Sequence, residues 1–216
     1  MTATSTLLLD LDGTLTDNYA GISRSILHAL AQLGAGAASA VELKRCVGPP
    51  LRHSFARLLN TEDPILIEQA LAHYRERYAT EGWRENEVYS GIDAALAALD
   101  ARGHRLLLCT SKPQVYAERI VAHFGLARHL DAVYGAELGG RLDDKAELMA
   151  ALLAAEQLEP ARCVMIGDRA QDMRAAKAHR VDALGVLWGY GSREELVSAG
   201  ARALIGAPEE LLTAAL

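Results

Sequence analysis

Apolar residues gather in four short runs, 6–11, 105–109, 163–166 and 183–187, and none of them alternates with polar positions. A strand with one wet face reads as alternation, whereas an unbroken run of this length reads as a strand covered on both faces. Other stretches carry apolar residues at helical spacing, over 92–102, 113–124, 146–156 and 170–178. Strand and helix in alternation predict an α/β fold, a parallel sheet flanked by helices.

Residues 18–87 follow a different pattern. No strand is evident there. Ile22, Ile26, Leu27 and Leu30 recur at helical spacing, as do Leu51, Phe55, Leu58 and Leu59, and then Ile67, Leu71, Tyr74 and Tyr78. Gly34 and Gly36, Gly48-Pro49-Pro50 and Asp63-Pro64 punctuate these stretches. The pattern predicts an all-helical domain at 18–87, inserted into a core domain made of 1–17 and 88–216.

Composition narrows the classes. Of 216 residues, 50% are hydrophobic and 23% charged, enough apolar content to fill a core. The formal net charge of −6 argues against partners that need a basic surface, a nucleic-acid polymer or an anionic membrane. It leaves room for a small anionic ligand held by a few local cations. Cys46, Cys109 and Cys163 are odd in number and unspaced for a disulfide or zinc framework, so they read as reduced packing residues. The opening MTATSTLLLD has no basic leader pattern, and no run of 18 apolar residues occurs. A cytoplasmic protein is the expectation.

The clearest chemical signal is Asp10-Leu11-Asp12-Gly13-Thr14, directly after Leu7-Leu8-Leu9. Residues i and i+2 of an extended chain share a side, which puts Asp10 and Asp12 together at the carboxyl end of a buried strand, where open α/β sheets bind ligands. Two carboxylates so close repel unless a cation lies between them, and hard oxygen ligands suit Mg²⁺. A solvated Asp-Gly turn explains Asp12-Gly13 but not Asp10. A second apolar run ends in Gly167-Asp168, with Asp172 one helical turn further on. Asp168 could instead cap the following helix, and Asp172 could reach a metal directly or through water. Thr110 and Ser111 follow the run 105–109, where they suit phosphate oxygens at a helix start or an ordinary cap. Lys145 falls in the first turn of a helix, where the dipole disfavours a cation, so it calls for an anionic partner such as a phosphate or Asp10. Lys112 raises the same question before Pro113 but ranks below Lys145, because one lysine is enough and a flexible surface lysine is the usual case. The histidines show no metal spacing beside these acids.

Taken in order, Asp10/Asp12, Thr110, Lys145 and Asp168/Asp172 resemble the motif set of the haloacid dehalogenase (HAD) superfamily of phosphohydrolases, and the likeness extends over essentially the whole chain. The resemblance implies a Rossmann-like core and makes the insertion a C1 helical cap. Stretches such as Val47-Gly48-Pro49-Pro50-Leu51, Thr110-Ser111-Lys112-Pro113 and Gly185-Val186-Leu187-Trp188-Gly189-Tyr190-Gly191 are most similar to the phosphoglycolate phosphatase-like and bacterial 5′-nucleotidase-like group. It further implies that Asp10 is the nucleophile, forming an aspartyl-phosphate, and that Asp12 is the general acid and base. Mg²⁺ would be held by Asp10, the Asp12 carbonyl and Asp168, with Asp172 nearby. Thr110, Ser111 and Lys145 would bind the phosphoryl group, and Arg52 on the cap would contact the rest of a small phosphorylated metabolite. A monomer or homodimer is expected. Three rivals stand beside this reading: a phosphosugar mutase of the same superfamily, a receiver-like signalling domain phosphorylated on Asp10, and a degenerate, non-enzymatic binder.

Overall fold

The computed structural model describes residues 5–214; the first four residues, and with them the start of the opening segment, lie outside the described part. The chain divides into two compact units, Asp17–Glu87 and the residues on either side of it.

The larger unit is built on six parallel strands: β1 (Thr6–Leu9), β2 (Arg105–Pro113), β3 (Ala132–Ala136), β4 (Cys163–Gly167), β5 (Asp182–Val186) and β6 (Ala203–Ile205). Their order across the sheet is β3-β2-β1-β4-β5-β6, and each neighbouring pair is parallel. This is the doubly wound order whose reversal, between β1 and β4, opens a crevice at the carboxyl ends of the strands. Leu7, Leu8 and Leu9 are wholly buried, as the unbroken run requires. Leu8 joins Leu107, Cys109, Cys163, Met165 and Ala183 in a cluster with Leu148, Met149, Leu152, Met173 and Leu196. Burying side chains of this kind contributes about 1.5–3 kcal/mol each.

The smaller unit is helical: α1 (Tyr19–Gln32), α2 (Ala40–Lys44), α3 (Leu51–Leu58) and α4 (Pro64–Thr80). The helices of the sheet unit are α5 (Ile92–Ala101), α6 (Gln114–His123), α7 (Lys145–Ala155), α8 (Ala170–His179), α9 (Arg193–Ala199) and α10 (Leu211–Ala214). In the helical unit, α1, whose Ile22, Ile26 and Leu30 are buried, packs along α4, while Phe55 meets Tyr74 edge-on at 6.2 Å and Tyr74 stacks on Tyr78 at 5.2 Å. Asp63 caps α4, accepting from the Ile65 N–H at 2.9 Å, with Pro64 at the first helical position. Arg24 and Arg77 converge on Glu85, whose carboxyl is held down to about 2, first by the Arg77 hydrogen bonds.

The sheet has two strands that the apolar runs do not announce. Both are edge strands. β3 is only half-buried over its first three residues and β6 is three residues long, so neither carries an unbroken apolar run. β2 also extends four residues past its apolar run, to Pro113, through an irregularity between Thr110 and Pro113. Gly135 allows this close approach, since a Cβ there would lie 2.6 Å from the Lys112 carbonyl.

Candidate active site

Asp10 leaves the end of β1 with its N–H still on the ladder, donating to the Ile166 carbonyl at 3.0 Å. The chain then turns sharply. The Leu11 carbonyl accepts from the N–H groups of Thr14, Leu15 and Thr16 at 3.2, 2.9 and 3.0 Å. Gly13 takes φ +87°, and a Cβ there would sit 2.3 Å from Oδ2 of Asp168. A side chain is therefore excluded twice, by backbone conformation and by the acid opposite.

Asp168 follows β4. Its Oδ2 accepts from the Tyr190 N–H at 2.8 Å, while its Oδ1 is buried with no hydrogen-bond partner among the described residues. Asp168 is not the cap of α8. Arg169 holds that position, and its N–H donates to Oδ2 of Asp172 at 2.9 Å. Asp172 is thus turned inward, packed over Gly167, where a Cβ would meet the Asp172 carboxyl carbon at 2.3 Å.

α7 supplies the cation. Asp144 caps this helix, accepting from Ala146 and Glu147 N–H groups at 2.8 and 3.1 Å, which puts Lys145 in the first turn facing the acids. Its ammonium lies 2.9 Å from Asp10 Oδ1 and also pairs with Asp172 Oδ1. Asp10, Thr110, Lys145, Asp168 and Asp172 are all between 0 and 3% exposed. Single oxygens of Asp10, Asp168 and Asp172 lie within 4.8 Å of one another.

The electrostatics follow from this crowding. Burial, then repulsion by Asp172 and Asp10, pushes the Asp168 carboxyl well above its ordinary range. Asp172 rises to about 6, driven by burial and held back mainly by Lys145. Lys145 moves the other way: burial opposes its charge, but Asp10 and Asp172 outweigh that and raise it. Three buried carboxylates facing one lysine, with an unpartnered oxygen on Asp168, form a donor set that suits a hard divalent cation.

The remaining positions divide. Thr110 sits at the same sheet end, its Oγ1 accepting from the Lys112 N–H at 3.3 Å. Ser111 Oγ is buried without a hydrogen-bond partner among the described residues. Asp12 lies beside the trio, but its carboxylate belongs to a different pair: Lys112 Nζ is 2.5 Å from Asp12 Oδ2. Lys112 is therefore no surface lysine; it is 8% exposed. The signal that could have found it is the one that links Asp10 to Asp12, because residues 110 and 112 of an extending strand also alternate to one side. Arg52 belongs to the helical unit and forms an ion pair with Glu68 at 2.7 Å. A further element, the turn Trp188-Gly189-Tyr190-Gly191, was not anticipated as part of the site. Trp188 Nε1 donates to the Thr14 carbonyl at 3.0 Å. A Cβ on Gly189 would lie 2.3 Å from the Gly13 carbonyl and 2.4 Å from Asp168 Cβ.

Residues 7–186 match the model of the haloacid dehalogenase-like hydrolases. The chain belongs to that family. Among curated relatives, a 5′-nucleotidase from Pseudomonas aeruginosa is 44% identical over 190 residues, 88% of this chain and 86% of that protein. The tyrosine-protein kinase PtkA from Mycobacterium tuberculosis is 39% identical over 185 residues, 86% of this chain but 62% of that protein. A predicted phosphatase from Clostridium acetobutylicum superposes with a TM-score of 0.92 at 35% identity, over 97% of each chain. By class this HAD-like chain is a phosphoric monoester hydrolase. Among its described residues, no helix is long and apolar enough to cross a membrane.

Proposed function

We propose that the chain is a Mg²⁺-dependent phosphatase of small phosphate monoesters, with nucleoside 5′-monophosphates as the substrate class, working through a phosphorylated Asp10. The observation that carries this reading is the buried trio of carboxylates at the sheet's carboxyl end with Lys145 on two of its members. The nucleotide preference rests on the relative named 5′-nucleotidase; phosphoglycolate is the alternative substrate within the same reading.

Asp10 attacks phosphorus. A bond forms from its carboxylate oxygen as the ester oxygen departs, and the step is split in two as in other covalent catalysis. Asp12 gives its proton to the departing oxygen. It then takes a proton from the water whose oxygen bonds to phosphorus, and the Asp10 carboxylate is released with inorganic phosphate. Lys145 keeps Asp10 oriented and, with Thr110 and Ser111, meets the negative phosphoryl oxygens. Asp10, Asp168, Asp172 and the Asp12 carbonyl are the groups that would hold the metal. When bound, Mg²⁺ supplies neutralisation of phosphoryl charge. The orphaned Oδ1 of Asp168 fits this role, since a buried carboxylate oxygen with no donor is costly unless a cation meets it.

The test is phosphate release from a nucleoside 5′-monophosphate, a sugar phosphate and phosphoglycolate, after chelation and after Mg²⁺ is added back. Activity that disappears on chelation, returns with Mg²⁺ and is highest on the nucleotide is expected. Full turnover after exhaustive metal removal would reject the metal. Phosphoryl movement between sugar positions without phosphate release would favour a mutase. Transfer from ATP to a tyrosine peptide without ester hydrolysis would favour the chemistry named for PtkA.

A further inference from the structure

Among the described residues, the mechanism above leaves one buried lysine without work. Lys112 reaches its position because β2 runs past its apolar segment and Gly135 on the neighbouring strand makes room for the irregularity. Its ammonium meets Asp12 Oδ2 at 2.5 Å, with both side chains less than a tenth exposed. Taking a lysine out of water costs several kcal/mol unless a partner returns it. Charge balance at the sheet end is thus divided between two lysines: Lys145 serves Asp10 and Asp172, and Lys112 serves Asp12.

The backbone beneath Asp12 is also fixed. Asp12 bridges to Thr16, and the Gly13 N–H donates to the Thr16 carbonyl at 2.8 Å. With the main chain tied and Oδ2 paired to Lys112, the Asp12 carboxyl group is restrained. A proton donor works only within hydrogen-bond reach of its acceptor, and misplacement by an ångström costs orders of magnitude.

We infer that Lys112 is a positioning residue for proton transfer: it fixes the Asp12 carboxyl group where the leaving oxygen departs. The inference rests on the proposed phosphatase reading of the same site. It distinguishes two kinds of ester. An alkoxide such as a nucleoside 5′-oxygen leaves poorly without a proton, whereas p-nitrophenolate leaves without one. In the phosphorylation step, which kcat/KM reports, a lysine that acts through Asp12 matters for the first and little for the second. A lysine that only stabilises the fold, or only touches the phosphoryl group, matters equally for both.

The experiment compares kcat/KM on a nucleoside 5′-monophosphate and on p-nitrophenyl phosphate for wild type, Lys112→Met, Lys112→Arg, Asp12→Asn and the double variant Asp12→Asn/Lys112→Met, with thermal unfolding of each. We expect Lys112→Met to lose about 100-fold on the nucleotide and less than about tenfold on the aryl ester, within the range that one proton donor contributes. Lys112→Arg should recover part of the nucleotide loss. The double variant should be no slower on the nucleotide than Asp12→Asn alone, because the two residues act as one unit. Equal losses on both esters, or additive losses in the double variant, would overturn the inference. If Lys112→Met does not fold, Lys112→Arg carries the same comparison, since the altered donor geometry should still penalise the nucleotide more. A wild type that hydrolyses neither ester would instead defeat the phosphatase reading on which the inference stands.

Discussion

Replacing Lys145 by methionine keeps most of the side-chain volume and removes the charge. Its ammonium is 2.9 Å from Asp10 Oδ1, a separation worth about 6 kcal/mol of attraction at an effective dielectric of ~20. Part of that offsets the cost of burying the lysine, so the net loss is smaller. Breaking a buried pair by removing one partner costs about 3–5 kcal/mol, which in a domain of this size lowers Tm by roughly 6–20 °C. The loss has a pH signature. Asp172 already sits at about 6 against an ordinary 3.8, even with Lys145 pulling it down. Without the lysine it rises further. The folded state then keeps a proton that the unfolded chain releases above about pH 4, so stability falls as pH rises through that window. Lys145→Met should therefore be closer to wild type at pH 5, where Asp172 is protonated in both proteins and only the pair with Asp10 is lost, than at pH 8. Thermal unfolding in chelator at the two pH values is the assay. A Tm within about 2 °C of wild type at pH 8, or an equal loss at both pH values, would refute the argument that Lys145 compensates buried carboxylates.

Two other predictions follow from the same geometry. Gly189→Ala should weaken divalent-metal binding about 10–100-fold, the usual effect of disturbing a group that orients a ligand, because the added methyl displaces Asp168 or the Gly13 turn; Mn²⁺ binding followed by electron paramagnetic resonance, without substrate, would show it, and unchanged affinity would dismiss the role of the 188–191 turn. Arg52→Ala should change the ratio of kcat/KM between a nucleotide and phosphoglycolate, whereas Lys145→Met should depress both alike; a uniform loss from Arg52→Ala would remove Arg52 from the substrate-selecting residues.

Much of this was legible before the structure, and the parts that were not have physical reasons. Buried central strands announce themselves, so β1 and β4 and the acids at their ends could be read from Leu7-Leu8-Leu9-Asp10 and from Val164 to Asp168. Lys145 was legible because a lysine in a helix's first turn opposes the dipole. Edge strands such as β3 and β6 are too short and too little buried to leave an apolar run. Lys112 ranks low in sequence because the apolar signal of β2 ends at Cys109 while the strand continues to Pro113, and a lysine outside a strand is ordinarily solvated. The contribution of Gly189 and Tyr190 was invisible in sequence for another reason: it consists of a backbone N–H and an absent side chain, brought to Asp168 from about 20 residues away along the chain.

The central claim is that Asp10 carries the phosphoryl group, and the most direct measurement is to look for it there. The enzyme, with Mg²⁺ and excess p-nitrophenyl phosphate, whose aryl oxide leaves without a proton, is quenched in acid during turnover, digested, and its peptides sequenced by mass spectrometry, in parallel with Asp12→Asn, where Asp10 is still phosphorylated but release of the intermediate should be slowed. The account predicts a phosphoryl group on Asp10, more of it in Asp12→Asn, and none in Asp10→Asn, which should also be inactive. A phosphoryl group on another residue, or an Asp10→Asn protein that turns over at a near-normal rate, would contradict it.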